Sequence, residues 1–505
     1  MRPASTLSPD TLRNDPYIRT ISELAAQVGP IYLVGGYLRD RLLGRDPIRR
    51  IDLDLVVWGE PEPFGRTVAG VLGATLFHLD QETVRALAHR NGTLIRIDIS
   101  RPKGETIEAD LAERDFTVNA LAVRLDSGLR NAAVAVIDPS GGLDDLRRRR
   151  LRALAASTFD QDPLRLMRAV RLAGELNFTI EEATRLAIIE RAPLLAIAAG
   201  ERVREELFRI IELVPAAPAI ESLDILQLLK VLVPEAEALK AVPASPPHRL
   251  PLWEHSLETL RSVELLLADL GQFFPDDHVW LHERFEGEIE AGVTEAAVLK
   301  LVGLLHDLGK PETRTVQPDG RIRFLGHEEA GLPILMRLCE RLRLGKQATA
   351  LVADIERHHL RPLRLSREAT VTARAMYRLF RELGDVAPAV LLHSWADLRA
   401  TIGDEVEAFG QYQIFLREMF RFYRTEFRAS QTEPLVRGDD LMGVLGLAPG
   451  PFLGVVLNRV REAQAMGLIN SLEEGLTYVR QSLEAWRRAY EESCSSGRIS
   501  RAEND

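Results

Sequence analysis

The chain has 505 residues, 46% of them hydrophobic and 27% charged, with a formal net charge of -10. That length and composition exclude bulk disorder and predict several domains with real cores. Its two cysteines, Cys339 and Cys494, lie far apart in no metal-ligand spacing, which excludes a disulfide framework and suits a reducing compartment. With no apolar run fit for a signal peptide or a membrane span, the expected location is cytoplasmic, with no membrane partner.

Residues 1–22 are polar and carry Pro and Ser, which predicts a flexible lead-in to a first helix. From Ile31 the chain reads IYLVGGYLRDRLLGRDPIRRIDLDLVV. An apolar run breaks at Gly35 and Gly36, passes into an amphipathic segment with Arg39 and Asp40, and returns as an apolar run holding Asp52 and Asp54. The pattern predicts strand, glycine turn, helix, strand. Residues two apart on an extended chain face the same way, so Asp52 and Asp54 present two carboxylates together while Ile51, Leu53 and Leu55 go to the core. Magnesium prefers oxygen ligands and binds through one or two carboxylates plus substrate phosphates. A Gly-Gly turn opening a helix lets backbone N–H groups approach a polyphosphate. The two halves predict a nucleoside-triphosphate site for two-metal phosphoryl transfer.

GGYLRD followed by DLDLVV resembles the nucleotidyltransferase motif of the bacterial tRNA nucleotidyltransferase (CCA-adding) and poly(A) polymerase family. The resemblance implies an α+β fold: a small mixed β-sheet head, polymerase β-like, followed by an all-α neck, an all-α HD domain and a helical C-terminal tail. It implies that Asp52 and Asp54 hold Mg2+ and that Gly35, Gly36 and Arg39 bind the triphosphate. The implied reaction adds CMP and/or AMP, from CTP and ATP, to the 3′ end of tRNA.

After Val57, WGEPEPFGRTVAGVLGATLF predicts a loop, a helix and a strand, and LIRIDIS alternates as a further strand. On that strand Asp98 is either a third metal-proximal carboxylate or an exposed acid beside an arginine. ERDFTVNALAV resembles the family's RRDFTxNA motif, which implies that Arg114, Asp115 and Asn119 hold the ribose; Glu113 stands where the motif usually leads with arginine. A carboxylate accepting from a 2′-hydroxyl discriminates by hydrogen bonding. In IDPSGGLDDLRRRRLRAL, Asp138 and Pro139 end a strand and Gly141 and Gly142 turn the chain, resembling the hinge from head to neck.

In TFDQDPLRLMRAVRLAGELNF, Asp160 or Asp162 can cap a helix, Pro163 suits its first turn, and Leu164, Met167, Val170 and Leu172 sketch an apolar stripe. The resemblance implies the base-selecting helix, with Asp162 and Arg165 hydrogen-bonding the Watson–Crick edge of the incoming base; the residue before them, usually acidic, is Gln161. Adjacent helical turns are expected to put the pair on one face. Such a fork is worth about 1–3 kcal/mol of discrimination in duplex readout. ERVREELFRIIEL predicts a helix and resembles the motif that closes the neck, which implies that Glu201 and Arg202 buttress the base-selecting helix; PASPPHRLP marks a linker.

Most of the chain's 11 histidines follow. WEHSLETL carries His255, LVGLLHDLGK carries His306, Asp307 and Lys310, GHEEAG carries His327, IERHHLRP carries His358 and His359, and HSWADLRA carries His393 and Asp397. The set resembles the HD phosphohydrolase superfamily, which implies His255, His306, Asp307 and Asp397 as metal ligands and His327, His358 and His359 for a second metal. Imidazoles with carboxylates suit a divalent transition metal, Mn, Ni, Co or Fe. The implied chemistry is phosphatase or phosphodiesterase action. In QYQIFLREMFRFYRTEF, aromatics at helical spacing read as core. PLVRGDDLMGVLGLAPGPFLGVVLNRVREAQAMGLI resembles the family's C-terminal element, whose Gly450-Pro451 turn implies either tRNA contact or packing on the HD unit.

The expected division is 1–22 lead-in, 23–150 head, 151–242 neck, 249–405 HD domain, 406–490 tail and 491–505 disordered. The acidic total sits against an RNA partner, because phosphate neutralisation dominates nucleic-acid affinity. Two basic clusters can override it locally: Arg147 to Arg150 with Arg152, and Arg165, Arg168 and Arg171. Within the class, a CC-adding enzyme, an A-adding enzyme and a poly(A) polymerase stay open, because only a short polar stretch joins Ser100 to Leu111 where A-adding family members carry a longer flexible loop. Outside it, the rivals are an HD phosphohydrolase with a non-catalytic head and an RNA-binding protein with both sites idle. The sequence does not set the oligomeric state.

Overall fold

The computed structural model describes residues 12, 14–25, 29–46, 50–90, 92–125 and 134–495. It divides into two compact units, Met1–Pro234 and Glu235–Asp505. Most of the expected lead-in, residues 1–11 and 13, and the last ten residues of the expected disordered end, 496–505, lie outside the described residues. Within the expected lead-in a helix already begins, α1 (Pro16–Ala25), with Ile18, Ile21 and Ala25 buried on one face. Asp15 starts it by accepting from the Tyr17 and Ile18 N–H groups, an N-cap arrangement.

In the first unit seven strands form one sheet: β1 (Ile31–Val34), β2 (Arg50–Val57), β3 (Thr75–His78), β4 (Thr83–Arg90), β5 (Thr93–Ser100), β6 (Ala122–Arg124) and β7 (Val136–Ile137), in the spatial order β3-β4-β5-β2-β1-β6-β7. Only β2 and β5 pair parallel; the other neighbours are antiparallel. Between strands stand α2 (Gly35–Leu42), α3 (Pro61–Leu72) and α4 (Ile107–Ala112). The strand-helix-strand reading of residues 31–57 agrees, with one difference: no separate turn precedes the helix, which begins at Gly35 itself. Along β2, Ile51, Leu53 and Leu55 are buried while Asp52 and Asp54 are half-buried on the opposite face, the alternation a pleated strand imposes.

The rest of the unit is mainly helical. α5 (Arg165–Leu176) buries Leu166, Met167, Val170 and Leu172, each side chain contributing about 1.5–3 kcal/mol of transfer free energy, and packs on α6 (Gly200–Ile211).

The second unit is built on α7 (Leu252–Ala268), α8 (Glu295–Leu305), α9 (His327–Arg341), α10 (Lys346–His358) and α11 (Ala387–Ile402), with α7 touching both α8 and α11. The aromatics after Asp397 are core: Tyr412, Phe420, Phe422, Tyr423 and Phe427 are all buried. At the C-terminus α12 (Pro451–Ala465) and α13 (Leu472–Ser495) enclose their own cluster around Val456, Val460, Val479 and Trp486. The helix runs through residues 491–495, where disorder was expected. Arg374, on the helix Ala373–Leu383, pairs with Glu462 of α12 at 2.7 Å, so these C-terminal helices pack on their own unit. The mixed-sheet head followed by helical regions is the fold class expected from the sequence.

Candidate active site

Register builds the first site. Val34, the last residue of β1, pairs with Asp54, and Asp54 pairs across the parallel ladder with Asp98 while Asp52 pairs with Arg96. Gly35 therefore begins α2 directly over Asp54. Its φ is +78°, and a Cβ there would come within 2.7 Å of Asp54 Oδ2, so both backbone conformation and space demand glycine. A Cβ at Gly36 would meet only Arg39, with Nη2 nearest at 3.6 Å, an ordinary contact, so the fold does not require glycine there.

Asp52 stays partly open and ion-pairs with Arg96 at 2.8 Å and Arg50 at 2.9 Å. Asp54 is more enclosed. Burial and the neighbouring Asp98 push its carboxyl up, opposed by Arg114, Arg96 and Arg168. A bound cation would favour the ionised form. Asp98 is held bidentately by Arg85 of β4, at 2.7 and 2.8 Å. Asp98 is half-buried rather than exposed and stands beside Asp54 in the register, and its arginine comes from across the antiparallel pair rather than from Arg96.

A polar chain, buried as far as Asp115, ties α2 to the exposed Arg168 of α5. Arg39 is 7% exposed and donates from Nη1 to Asn119 Oδ1 at 2.8 Å. Asn119 donates to Asp115 Oδ1 at 3.0 Å, and Arg168 Nε lies 2.9 Å from Asp115 Oδ2. Burial alone would raise the Asp115 carboxyl, but Arg168, Asn119 and the Phe116 N–H outweigh it and hold the group below the usual carboxylate range. Arg114 reaches Asp110 of α4 at 3.1 Å, and Asp110 also accepts from the Lys103 N–H at 3.0 Å. Only residues 101–106 separate β5 from α4.

Asp162 and Arg165, the pair expected to read the base, are placed differently from the expectation. Asp162 is not on the helix: its backbone is extended (φ −144°, ψ 100°), and α5 begins only at Arg165. Asp162 Oδ2 lies 2.8 Å from Arg202 Nη2, and its Oδ1 accepts from the Leu164 N–H at 3.2 Å. Arg165 donates to the Thr158 hydroxyl, Gln161 Oε1 and the Glu113 carbonyl. The two basic clusters are largely engaged within the protein. Arg150 and Arg152 pair with the fully buried Asp145, Arg148 with Asp144, and Arg171 with Glu206 and Glu175.

In the second unit, six of the seven expected metal ligands converge. His255 Nε2 lies 3.1 Å from Asp397 Oδ1 and 3.5 Å from Asp307 Oδ2, and His306 Nε2 lies 3.3 Å from Asp307 Oδ2. On the other side of the same carboxylate, His327 Nε2 is 3.6 Å from Asp307 Oδ1 and 3.3 Å from His359 Nε2. Two potential metal-binding triplets thus share Asp307: His255, His306, Asp307 and Asp307, His327, His359. The Nδ1 atoms of His306, His327 and His359 each sit on the carbonyl three residues back, at 3.2, 2.9 and 2.7 Å. That leaves Nε2 free to ligate, the usual outer-shell arrangement of metal-binding imidazoles.

The donor set fits a divalent cation. Both Asp307 oxygens and His306 Nε2 are buried without a hydrogen bond of good geometry, an orphaning that an ion relieves; Lys310 Nζ does lie 2.8 Å from Asp307 Oδ2. Burial would raise Asp307 and Asp397, yet the surrounding imidazoles, with Lys310 beside Asp307, hold both well below their usual range. Burial pushes His359 well down and His393 to about 3.

His358 does not join the cluster. It is half-buried and its nearest charged neighbour is Glu382, 4.0 Å away. Two groups escaped the sequence reading, and His393, named there in the histidine set, was given no ligand role. The ring of His393 lies 4.8 Å from that of His306. His248, from the linker, meets Lys310 Nζ at 3.2 Å and the ring of His255 at 4.8 Å. Glu356 is fully buried with both oxygens unpartnered and its carboxyl raised well above normal by burial. Only His393, adjacent to the Asp397 motif, carried a sequence signal.

Comparison with known proteins matches the profile "Poly A polymerase head domain" to residues 31–152, "Probable RNA and SrmB- binding site of polymerase A" to 177–240 and "HD domain" to 252–383. The CC-adding tRNA nucleotidyltransferase of Thermus thermophilus is 34% identical over 92% of this chain and 95% of its own length. The chain belongs to the tRNA nucleotidyltransferase family. The A-adding tRNA nucleotidyltransferase of Deinococcus radiodurans is 31% identical over 90% of this chain and 95% of its own. In fold, a Thermotoga maritima CCA-adding enzyme complexed with tRNA superimposes with a TM-score of 0.61, covering 95% of this chain and 99% of that one at 23% identity. Membership of the family makes this protein an enzyme, a nucleotidyltransferase with an HD domain and metal-dependent chemistry. No described helix is long and apolar enough to cross a membrane.

Proposed function

We propose that this enzyme adds cytidylate to the 3′ end of tRNA, using CTP, and stops before the terminal adenylate. The observation that carries this finer reading is the connection of six residues between β5 and α4, with Lys103 fastened to Asp110. A-adding members of the family carry a longer flexible loop there, and a segment this short and tethered has little reach. Identity does not divide the two, since a CC-adding enzyme is 34% identical and an A-adding one 31%. A transcript lacking its end, supplied with CTP alone, ATP alone or both, tests it by product length. Two added nucleotides with CTP, and no third when ATP is present, are expected; extension to three overturns the CC-only reading in favour of full CCA addition, and incorporation of ATP alone favours an A-adding role.

In this reading Asp52 and Asp54 would hold Mg2+, which would supply charge neutralisation at the triphosphate and activation of the 3′-hydroxyl without a protein base. The N–H groups that open α2 at Gly35 and Gly36 meet the phosphates, and Arg39, braced by Asn119, adds positive charge. Asp115, held by Asn119 and Arg168, keeps lone pairs for the ribose hydroxyls, with Arg114 beside it. Asp162 accepts from the exocyclic amine of the base while Arg165 donates to its ring acceptors.

Segments 23–150, 151–242, 249–405 and 406–490 are assigned as head, neck, HD domain and tail, and the cytoplasm as the location. In the HD cluster His255, His306, Asp307 and Asp397 would hold one divalent ion, of Mn, Ni, Co or Fe, and Asp307, His327 and His359 a second, which would supply phosphohydrolase chemistry.

A further inference from the structure

Two positions beside the nucleotide site touch each other. Gln161 Nε2 donates to Glu113 Oε2 at 3.3 Å, and Arg165 Nη1 donates to Gln161 Oε1 at 3.1 Å. Arg165 Nη2 also donates to the main-chain carbonyl of Glu113 at 3.2 Å. Glu113 caps the C-terminus of α4 and leads the Arg114–Asn119 segment; Gln161 ends the short helix Thr158–Gln161. The two segments are 48 residues apart in sequence and meet at the guanidinium of Arg165.

We propose that Glu113 and Gln161 form a directional relay that fixes the pose of Arg165, and so act together as positioning residues for nucleotide selection. This deepens, and rests on, the reading of Arg165 as a base-reading group. An amide has an acceptor at one end and a donor at the other. At position 161 it can take a hydrogen bond from the guanidinium and pass one to the carboxylate, and only one orientation of the amide does both. A carboxylate at 161 would accept from Arg165 but face Glu113 with like charge. The acceptors Arg165 uses, Thr158, Gln161 and the Glu113 carbonyl, are all uncharged oxygens. The guanidinium is held in place while its positive charge stays available for the acceptors of a base. Gln161 and Glu113 are both exposed, so they stand at the surface beside Arg165 without belonging to the core.

The relay predicts a rescue that a merely structural role does not. In the full-length enzyme, Gln161→Glu and Glu113→Gln are made singly and together. CTP affinity is measured by equilibrium binding, and CMP incorporation into a tRNA transcript is measured beside it. Gln161→Glu is expected to weaken CTP binding and raise its KM by about three- to tenfold, with kcat held within about twofold and the melting midpoint unchanged. The double variant reverses the relay: the amide now at position 113 donates to the carboxylate now at position 161, which still accepts from Arg165. It is expected to regain most of the lost affinity. A double variant as weak as, or weaker than, the two single losses multiplied overturns the relay, as does Gln161→Glu binding CTP like the parent. The proposed function has its own readout: a wild-type enzyme that binds CTP and incorporates none of it overturns that function, while the order of CTP affinities still decides the relay.

Discussion

Asp162 and Arg202 form an ion pair of 2.8 Å between the segment that precedes α5 and the first turn of α6. The pair fixes a carboxylate that no helix holds, since Asp162 sits in extended backbone. The Arg202 side chain is 55% exposed, so its contribution to stability is at most about 1 kcal/mol. Asp162 Oδ1 is held by the Leu164 N–H at 3.2 Å; in the proposed reading Arg202 sets the other oxygen, so its loss lets the carboxylate turn away from the base. Arg202→Ala is expected to leave the melting midpoint nearly unchanged and to raise the KM for CTP by about three- to tenfold. Steady-state kinetics beside calorimetry check it, and an unchanged KM removes Arg202 from the site.

Gly35 and Gly36 separate two reasons for glycine. Gly35→Ala forces a side chain into the left-handed region and onto Asp54 Oδ2, and is expected to cost about 2 kcal/mol of stability together with activity. Gly36→Ala meets nothing within the protein closer than 3.6 Å. It is expected to melt like the parent and to lose nucleotide affinity only, because the added methyl stands where a phosphate approaches. Thermal unfolding and CTP binding on both variants distinguish them.

Asp115 gives a pH dependence with a definite sign. Its folded pKa is depressed, despite burial, by Arg168, Asn119 and the Phe116 N–H. A carboxylate whose folded pKa lies below its unfolded value of about 3.9 stabilises the fold above that value and loses the contribution as pH falls through the folded one. Asp115→Asn is expected to be less stable than the parent near neutral pH and to lose less on acidification. Melting curves from about pH 7 down to about pH 3 test this; parallel curves for parent and variant contradict it.

Much of the first site is legible in the sequence because it depends on short-range geometry. Alternation along β2 puts Asp52 and Asp54 on one face whatever the rest of the sheet does. The strand-helix junction follows from the apolar run and the two glycines. What escaped depends on register or on one backbone constraint. Arg85 reaches Asp98 through the antiparallel pairing of β4 with β5, and β4 carried no motif to announce it. Asp162 was expected on the helix with Arg165, yet the residue before a proline is driven toward extended backbone, and Pro163 does this to Asp162. The arginine clusters read as a surface for RNA because a sequence does not reveal that Asp145 lies buried beneath Arg150 and Arg152.

The histidine pair at the end of α10 gives the last prediction. Successive residues on a helix point about 100° apart, so His358 and His359 cannot both face one cluster. His359 faces inward, 3.3 Å from His327, and His358 turns toward Glu382. If the centre holds two ions with Asp307 between them, the side served by His327 and His359 empties when either is removed. His359→Ala and His327→Ala are expected to retain one metal ion per chain and His358→Ala two, counted by elemental analysis after equilibration with Mn2+ or Ni2+. Because the first triplet of His255, His306 and Asp307 survives in each variant, the remaining ion should stay bound, and His306→Ala should instead lose the ion on that side. Two ions in His359→Ala, or one in the parent, would exclude the shared-carboxylate arrangement.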